Sequence, residues 1–209
     1  MCGIFGIVRF QGEPIQENHF LNMGKVLSAR GPDHFGYTRK AFSAGNQDAA
    51  EVFFGHNRLS IIDLNPRSHQ PMENHEGMLI TYNGEIYNFR ELKKQLAVAG
   101  YQFKTSGDTE VVLAAYTMWG VAAFKKFEGM FALAIWDPST KSVVLARDKF
   151  GMKPLAYYFK NNTLVFASDI RPIGKLPFVP QELNYEALTD YFHTRTISGR
   201  NYGYKLDPR

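Results

Sequence analysis

The sequence predicts an α+β domain built from two antiparallel sheets with helices on their outer faces. Three observations carry this. Beyond Gly129, four short runs rich in β-branched and aromatic residues follow at close spacing, at 130–136, 142–147, 155–159 and 164–168. Turn residues separate them: Asp137-Pro138-Ser139, Phe150-Gly151-Met152-Lys153-Pro154 and Asn161-Asn162. That is the pattern of consecutive antiparallel strands. Ahead of them, two segments repeat apolar residues at helical spacing. Further strand-like runs stand at the start of the chain, so the helices fall between groups of strands, as α+β folds require.

In chain order, 2–10 is apolar and β-branched and is ended by Gln11-Gly12-Glu13-Pro14, which reads as a strand. Residues 18–28 read as a short helix with Phe20, Leu21, Val26 and Leu27 inward, broken by Ala29-Arg30-Gly31-Pro32-Asp33. A second strand is expected over 51–62, and 63–77, with its prolines and histidines, reads as loop. The strand 78–82 is expected to run into a turn at Asn83-Gly84-Glu85, because Asn-Gly is a strong hairpin signal. A helix over 90–99 has Leu92, Leu96 and Ala99 at helical spacing and Gly100 as its stop. Another opens with Asp108 or Thr109 as N-cap, with Val111, Val112, Ala115, Tyr116 and Trp119 on its apolar face; a shorter one covers 121–127. From Arg171 the chain is punctuated by prolines, 185–192 reads as helical, and 194–209 shows no periodicity.

Composition sets bounds on function. A chain of 209 residues suits one domain, or one domain with a tail, and 44% hydrophobic residues supply an ample core. The net charge of +4 comes without a lysine/arginine block, so a nucleic-acid partner is not expected. The single cysteine excludes internal disulfides and thiolate metal clusters, and fits a reducing cytoplasm. No metal site is expected. No apolar run approaches the ~18 residues of a membrane span, and the N-terminus lacks a signal-peptide pattern.

That one cysteine stands second, in Met1-Cys2-Gly3-Ile4-Phe5-Gly6. Removal of Met1 would place a thiol and an α-amino group on adjacent carbons. The thiol titrates near ~8.5 and the amine near ~7.7–8.0, which makes a nucleophile with a built-in base. The competing reading is a buried strand cysteine packed as a small hydrophobe. Three other polar features sit oddly among apolar runs. Arg58 lies in a strand and could face solvent; Asn83-Gly84 could be only a turn; Asp108 could be only a helix cap. Together they suit one ligand, a free amino acid with a side-chain carboxamide. Arg58 would meet its α-carboxylate, and Asp108 with Glu85 its α-ammonium. Cys2 would attack the carboxamide, with the Asn83 amide and the Gly84 N–H donating to the resulting oxyanion.

These stretches, with Arg30-Gly31-Pro32-Asp33, His56-Asn57-Arg58-Leu59-Ser60-Ile61-Ile62-Asp63, Gln70-Pro71-Met72, Tyr82-Asn83-Gly84-Glu85-Ile86-Tyr87-Asn88, Ser106-Gly107-Asp108-Thr109-Glu110, Gly129-Met130-Phe131-Ala132 and the Arg147-Asp148 to Leu155 segment, carry a resemblance. The chain resembles the glutaminase domain of glutamine-dependent asparagine synthetase, a class II glutamine amidotransferase of the N-terminal-nucleophile hydrolase superfamily. The resemblance covers roughly residues 1–192. It implies a four-layer α-β-β-α sandwich of two antiparallel sheets. It implies Cys2 as nucleophile, Asn83 and Gly84 as oxyanion hole, and Arg58 for the α-carboxylate, with the main chain of Leu59, Ser60, Ile61 and Ile62 lining the same pocket. Glu85 and Asp108 are implied for the α-ammonium. The implied reaction is hydrolysis of L-glutamine to glutamate and ammonia through a Cys thioester, in the cytoplasm, with the ammonia passed to aspartate.

Two departures stand out. Asp169 occupies a position where the family usually has Glu. The family's second domain, which activates the acceptor with ATP and Mg through a Ser-Gly-Gly-x-Asp-Ser loop, has no counterpart here, since Ile197-Ser198-Gly199-Arg200 is not such a loop. This chain is therefore expected to bind no cofactor of its own, and 193–209 is read as a truncated linker toward an absent synthetase domain or subunit that receives the ammonia. A homodimer is one assembly open to it. The competing functions are a stand-alone glutaminase serving another acceptor, a glycan or secondary-metabolite precursor, and a non-catalytic glutamine-binding module.

Overall fold

The computed structural model describes residues 1–44, 47–60, 65–182 and 185–195. Its framework is two antiparallel sheets stacked face to face. Strand β1 (Gly3–Arg9) is apolar and buried from Gly3 to Val8 because it is the central strand of the first sheet, covered on both faces. It pairs on one side with β3 (Gln47–Arg58) and on the other with β9 (Thr163–Ala167); β2 (His34–Ala44) and β8 (Ala156–Lys160) form the two edges. The second sheet runs β4 (Met72–Glu73), β5 (Leu79–Ile86), β6 (Gly129–Asp137), β7 (Ser142–Arg147), in that spatial order.

Side chains alternate along each strand, and the alternation sorts them into three cores. Phe5, Ile7, Phe53, Val165 and Ala167 point outward from the first sheet onto α1 (Glu17–Val26) and the short α4 (Ile170–Gly174), meeting Phe20, Met23 and Ile173. Their neighbours Val8, Val52, Phe54, Leu164 and Phe166 point inward and meet Leu79, Ala134 and Trp136 of the second sheet. The opposite face of that sheet, Ile80, Tyr82, Leu133 and Ile135, packs on α2 (Phe89–Val98) and α3 (Asp108–Trp119). The order helix, sheet, sheet, helix is the expected four-layer sandwich. Helix α3 lies against this core so completely that every residue from Asp108 to Tyr116 is buried, whereas α2 buries only Leu92 and Leu96; Ala99, expected on its inner face, is exposed at the helix end, followed by Gly100 at φ +100°.

Several elements depart from the sequence reading. The Asn83-Gly84-Glu85 segment is not a turn: β5 runs straight through it, and Asn83, Gly84 and Glu85 pair with Ala132, Phe131 and Met130 of β6. Strand β2 carries no continuous apolar run and was not expected. It is an edge strand whose side chains alternate between exposed and half-buried, and Arg39 on it pairs with Glu51 of β3 at 2.6 Å. The 63–77 loop contains a 3-10 turn over Pro66–Ser68 and the two-residue β4. Asp169 caps α4, its carboxylate accepting from the Arg171 N–H at 2.9 Å and pairing with the Arg171 guanidinium at 2.7 Å. Helix α5 (Tyr185–Thr194) passes two residues beyond the boundary drawn at 192, and the remainder of the expected linker, 196–209, lies outside the described residues.

Candidate active site

A cavity of about 160 Å³ opens where β1 begins, β3 ends, and the last residues of β5 face the N-terminal turn of α3. Cys2 precedes β1 and reaches into it half-buried. Its sulfur is bracketed by one residue of the facing chain: the Leu59 N–H donates to Sγ at 3.4 Å, and the thiol donates to the Leu59 carbonyl at 3.6 Å. The Cys2 carbonyl in turn accepts from Arg30 Nε at 3.2 Å. Leu59 is held by its surroundings, since Asp33 N–H donates to the Arg58 carbonyl and the Ser60 N–H donates to the Asp33 carboxylate at 2.7 Å. The Arg30-Gly31-Pro32-Asp33 loop thus fixes both the nucleophile candidate and the backbone beside it. Met1 precedes Cys2 and also lines the cavity, more than half exposed.

Arg58, the last residue of β3, is buried on the cavity wall rather than facing solvent. Asn83 is 2% exposed, and its Nδ2 makes no hydrogen bond among the described residues. A buried amide donor without an acceptor costs ~1–3 kcal/mol, so such groups concentrate where a ligand completes them. Gly84 beside it has to be glycine: a Cβ there would stand 2.6 Å from the Met130 carbonyl and 2.8 Å from the Phe131 Cα, both backbone atoms that cannot move aside. Glu85 is exposed and sits at the cavity's rim.

Asp108 does not cap its helix; the cap position falls on Gly107, with no side-chain capping bond. Its buried carboxylate Oδ2 instead accepts from the Tyr82 hydroxyl at 2.7 Å and from the Ile86 N–H at 3.1 Å, both on β5. Burial raises the Asp108 pKa above the ordinary carboxylate range and Glu85 adds to this, while the bonds from Tyr82 and Ile86 work against it.

The expected residues therefore fall in two groups. Cys2, Arg58, Leu59, Asn83, Gly84, Glu85 and Asp108 line one cavity. Ser60 is tied to Asp33 and does not line it, and Ile61 and Ile62 lie outside the described residues. Sequence reasoning assigned no role to several other wall residues. Tyr82 is a hub: its N–H donates to Gln70 Oε1 at 2.7 Å, its carbonyl lies 3.2 Å from His56 Nε2, and its hydroxyl holds Asp108. Gln70 reaches on to Thr109 Oγ1 at 3.3 Å, lacing the loop, β5 and the start of α3 together. Lys153, nearly buried, completes the wall from the loop after β7. The available signal was polar residues inside apolar runs, which applies to His56 as much as to Arg58.

A family model described as a glutamine amidotransferase domain matches residues 1–205. A putative asparagine synthetase (glutamine-hydrolysing) of Methanocaldococcus jannaschii is 35% identical over 212 residues, covering 92% of this chain and 39% of that protein. Asparagine synthetase 2 of Bacillus subtilis is 38% identical over 195 residues, covering 91% of this chain and 24% of that protein. The chain thus spans well under half the length of these relatives. In fold it is similar to the glutamine phosphoribosylpyrophosphate amidotransferase of Bacillus subtilis, with a TM-score of 0.64 at 20% identity over 82% of this chain and 43% of that one. With the model match spanning nearly its whole length, the chain belongs to the glutamine amidotransferase domain family.

Proposed function

We propose that this chain hydrolyses L-glutamine to L-glutamate and ammonia, with Cys2 as nucleophile and the ammonia destined for an aspartate acceptor handled outside these residues. One observation carries the reading. The bracketed Cys2 sulfur faces the same cavity as a buried, unpartnered carboxamide donor, Asn83 Nδ2, with a buried guanidinium and a buried carboxylate on the other walls. A zwitterionic amino acid matches that inventory. Arg58 takes the α-carboxylate bidentately, and Asp108, with Glu85 at the rim, takes the α-ammonium.

Attack by the Cys2 sulfur on the side-chain carbonyl forms a C–S bond and pushes the π electrons onto oxygen, where Asn83 Nδ2 and the Gly84 N–H receive the charge. Collapse breaks the C–N bond. The departing nitrogen leaves as ammonia after taking the proton that the α-amine removed from the thiol. Water then cleaves the thioester, releasing glutamate and restoring the thiol. The amine exists only once Met1 has been removed, so the processed chain is the active form. The names of the relatives support asparagine synthesis as the use of the ammonia; the acceptor chemistry and its ATP requirement belong to a further domain or subunit.

The test separates binding from chemistry. Cys2→Ala is expected to abolish glutamine hydrolysis while calorimetry still detects glutamine binding. Arg58→Ala is expected to lose chiefly affinity, because its partner carboxylate does not change during the reaction. Unchanged glutamine affinity in Arg58→Ala would overturn the placement of the substrate, and equal turnover by protein retaining Met1 would overturn the role of the amine.

A further inference from the structure

Beyond the groups that would touch glutamine, one buried residue ties the site together through its backbone and its side chain. Tyr82 is 2% exposed. Its N–H is engaged by Gln70, its carbonyl lies beside His56 from the opposite sheet, and its hydroxyl donates 2.7 Å to Asp108 Oδ2. The ring cannot swing away, because three elements pin the residue that carries it. Burial first, and then the neighbouring Asp108 charge, raise the hydroxyl well above its ordinary value of 10.0, so it keeps its proton and remains a donor. Both bonds that β5 gives Asp108 fall on Oδ2. Strand β5 thus grips the carboxylate by one oxygen, and the Asp108 backbone N–H adds a further bond to the group.

We propose that Tyr82 is a positioning residue for the α-ammonium site: by holding Asp108 as an oriented anion, its hydroxyl makes the cavity prefer α-amino acid amides over amides that lack the amino group. This rests on the glutaminase reading and deepens it. A carboxylate that is buried, and set beside the negative Glu85, needs such a donor to stay ionised without its ligand. The titratable and charged groups that share its cavity wall are Tyr82 and Glu85 from β5, His56 and Arg58 from β3, Cys2 at the head of β1 and Lys153 from the loop after β7; of these, Tyr82 and Glu85 act on the Asp108 charge. The Tyr82 hydroxyl bonds the Asp108 carboxylate directly, at 2.7 Å.

The experiment compares Cys2→Ala with Cys2→Ala/Tyr82→Phe by calorimetry, using L-glutamine and its des-amino analogue 4-carbamoylbutanoate from about pH 4, the ordinary carboxylate value, upward to neutrality. Phenylalanine keeps the ring and the packing, and a melting curve checks the fold. L-glutamine affinity is expected to fall roughly tenfold or more, as for a lost hydrogen bond to a charged group, while the analogue stays within about twofold. The acid-side loss of L-glutamine affinity should begin at higher pH in the double variant, because the removed bond favoured the anion. Equal weakening for both ligands would assign Tyr82 a general structural role and overturn the proposal, as would unchanged L-glutamine affinity. Should the analogue bind neither protein, an unmoved acid limb overturns it. Absence of L-glutamine binding by Cys2→Ala itself would bring down the glutaminase reading instead.

Discussion

Asn83 holds a buried carboxamide on the cavity wall, next to a glycine. Asn-Gly between apolar residues signals a hairpin because both residues tolerate positive φ. Here neither turns; Asn83 lies mid-strand opposite Ala132, with its amide nitrogen buried and unpartnered among the described residues. A turn residue would contribute stability and little to rate. A buried donor kept for a ligand does the reverse. Asn83→Ala removes the orphan N–H and trims a buried side chain, so its melting temperature is expected to stay near the parent's, a change of about 1 kcal/mol or less. Glutaminase turnover is expected to fall by roughly 10²–10³, as when one oxyanion donor is deleted. Asn83→Asp, which replaces the donor with a charge beside the nucleophile, should lose at least about a hundredfold. Steady-state kinetics on both variants, normalised to folded protein, checks this; near-parental rates would leave the buried amide without a catalytic role.

At the scale of elements, the sequence was most legible where apolar residues follow one another without interruption. Strands β1, β6, β7, β8 and β9 and the helices α1, α2 and α3 all stand within a few residues of where periodicity puts them. It was least legible at β2, whose alternately half-buried and exposed positions carry His34, Arg39 and Lys40, because pairing with β3 rather than burial defines that strand. The site residues stood out because a charge or amide inside an apolar run needs a reason. Tyr82 and Gln70 did not, since a tyrosine in a strand and a glutamine in a loop are unremarkable until their partners are known. The loop after β7 is another such case. The buried Asp148 carboxylate accepts from the N–H groups of Phe131, Phe150, Met152 and Lys153 at 2.9–3.1 Å. Burial would raise its pKa, but those four donors outweigh burial and hold it below the ordinary carboxylate value. Asp148→Ala would strip the acceptor from four N–H groups, two of them buried, and is expected to lower stability by at least about 2 kcal/mol in urea unfolding. Because this loop delivers Lys153 to the cavity wall, glutamine affinity should weaken with it. A fully stable Asp148→Ala protein would show that the loop is held by its other contacts.

At the scale of the whole molecule, what joins the two sheets is mostly apolar, with polar stitches among the described residues: Thr81 Oγ1 donates to the Gly55 carbonyl at 3.0 Å, His56 Nε2 lies 3.2 Å from the Tyr82 carbonyl, and Lys40 of β2 pairs with Glu73 of β4. The second stitch requires a proton on His56 Nε2, and it is burial, not this bond, that keeps the ring neutral. Burial pushes the His56 pKa down to about 3; the bond to Tyr82 opposes this, and the positive Arg58 nearby adds to it. The consequence for stability has a definite sign. The unfolded chain takes up a proton on this residue near 6.5, the folded chain only near 3. Between those values the unfolded state binds more protons, so stability is fully present above pH ~6.5 and is lost as the pH falls toward ~3. The slope from one such group approaches about 1.4 kcal/mol per pH unit, a large fraction of the ~5–15 kcal/mol that holds a domain together. His69, stacked on His34 at 3.6 Å, is also lowered, chiefly by burial, and acts in the same direction. Replacing His56 alone separates the two. His56→Gln retains an N–H that can reach the Tyr82 carbonyl but cannot titrate. It is expected to cost about 1–2 kcal/mol at pH 7 and to flatten the fall in urea midpoint between pH 6.5 and 4 by close to one proton's worth. Midpoints that decline in parallel for the variant and the parent would mean that acid unfolds this domain through other groups, and that the neutral histidine between the sheets is not its acid-sensitive joint.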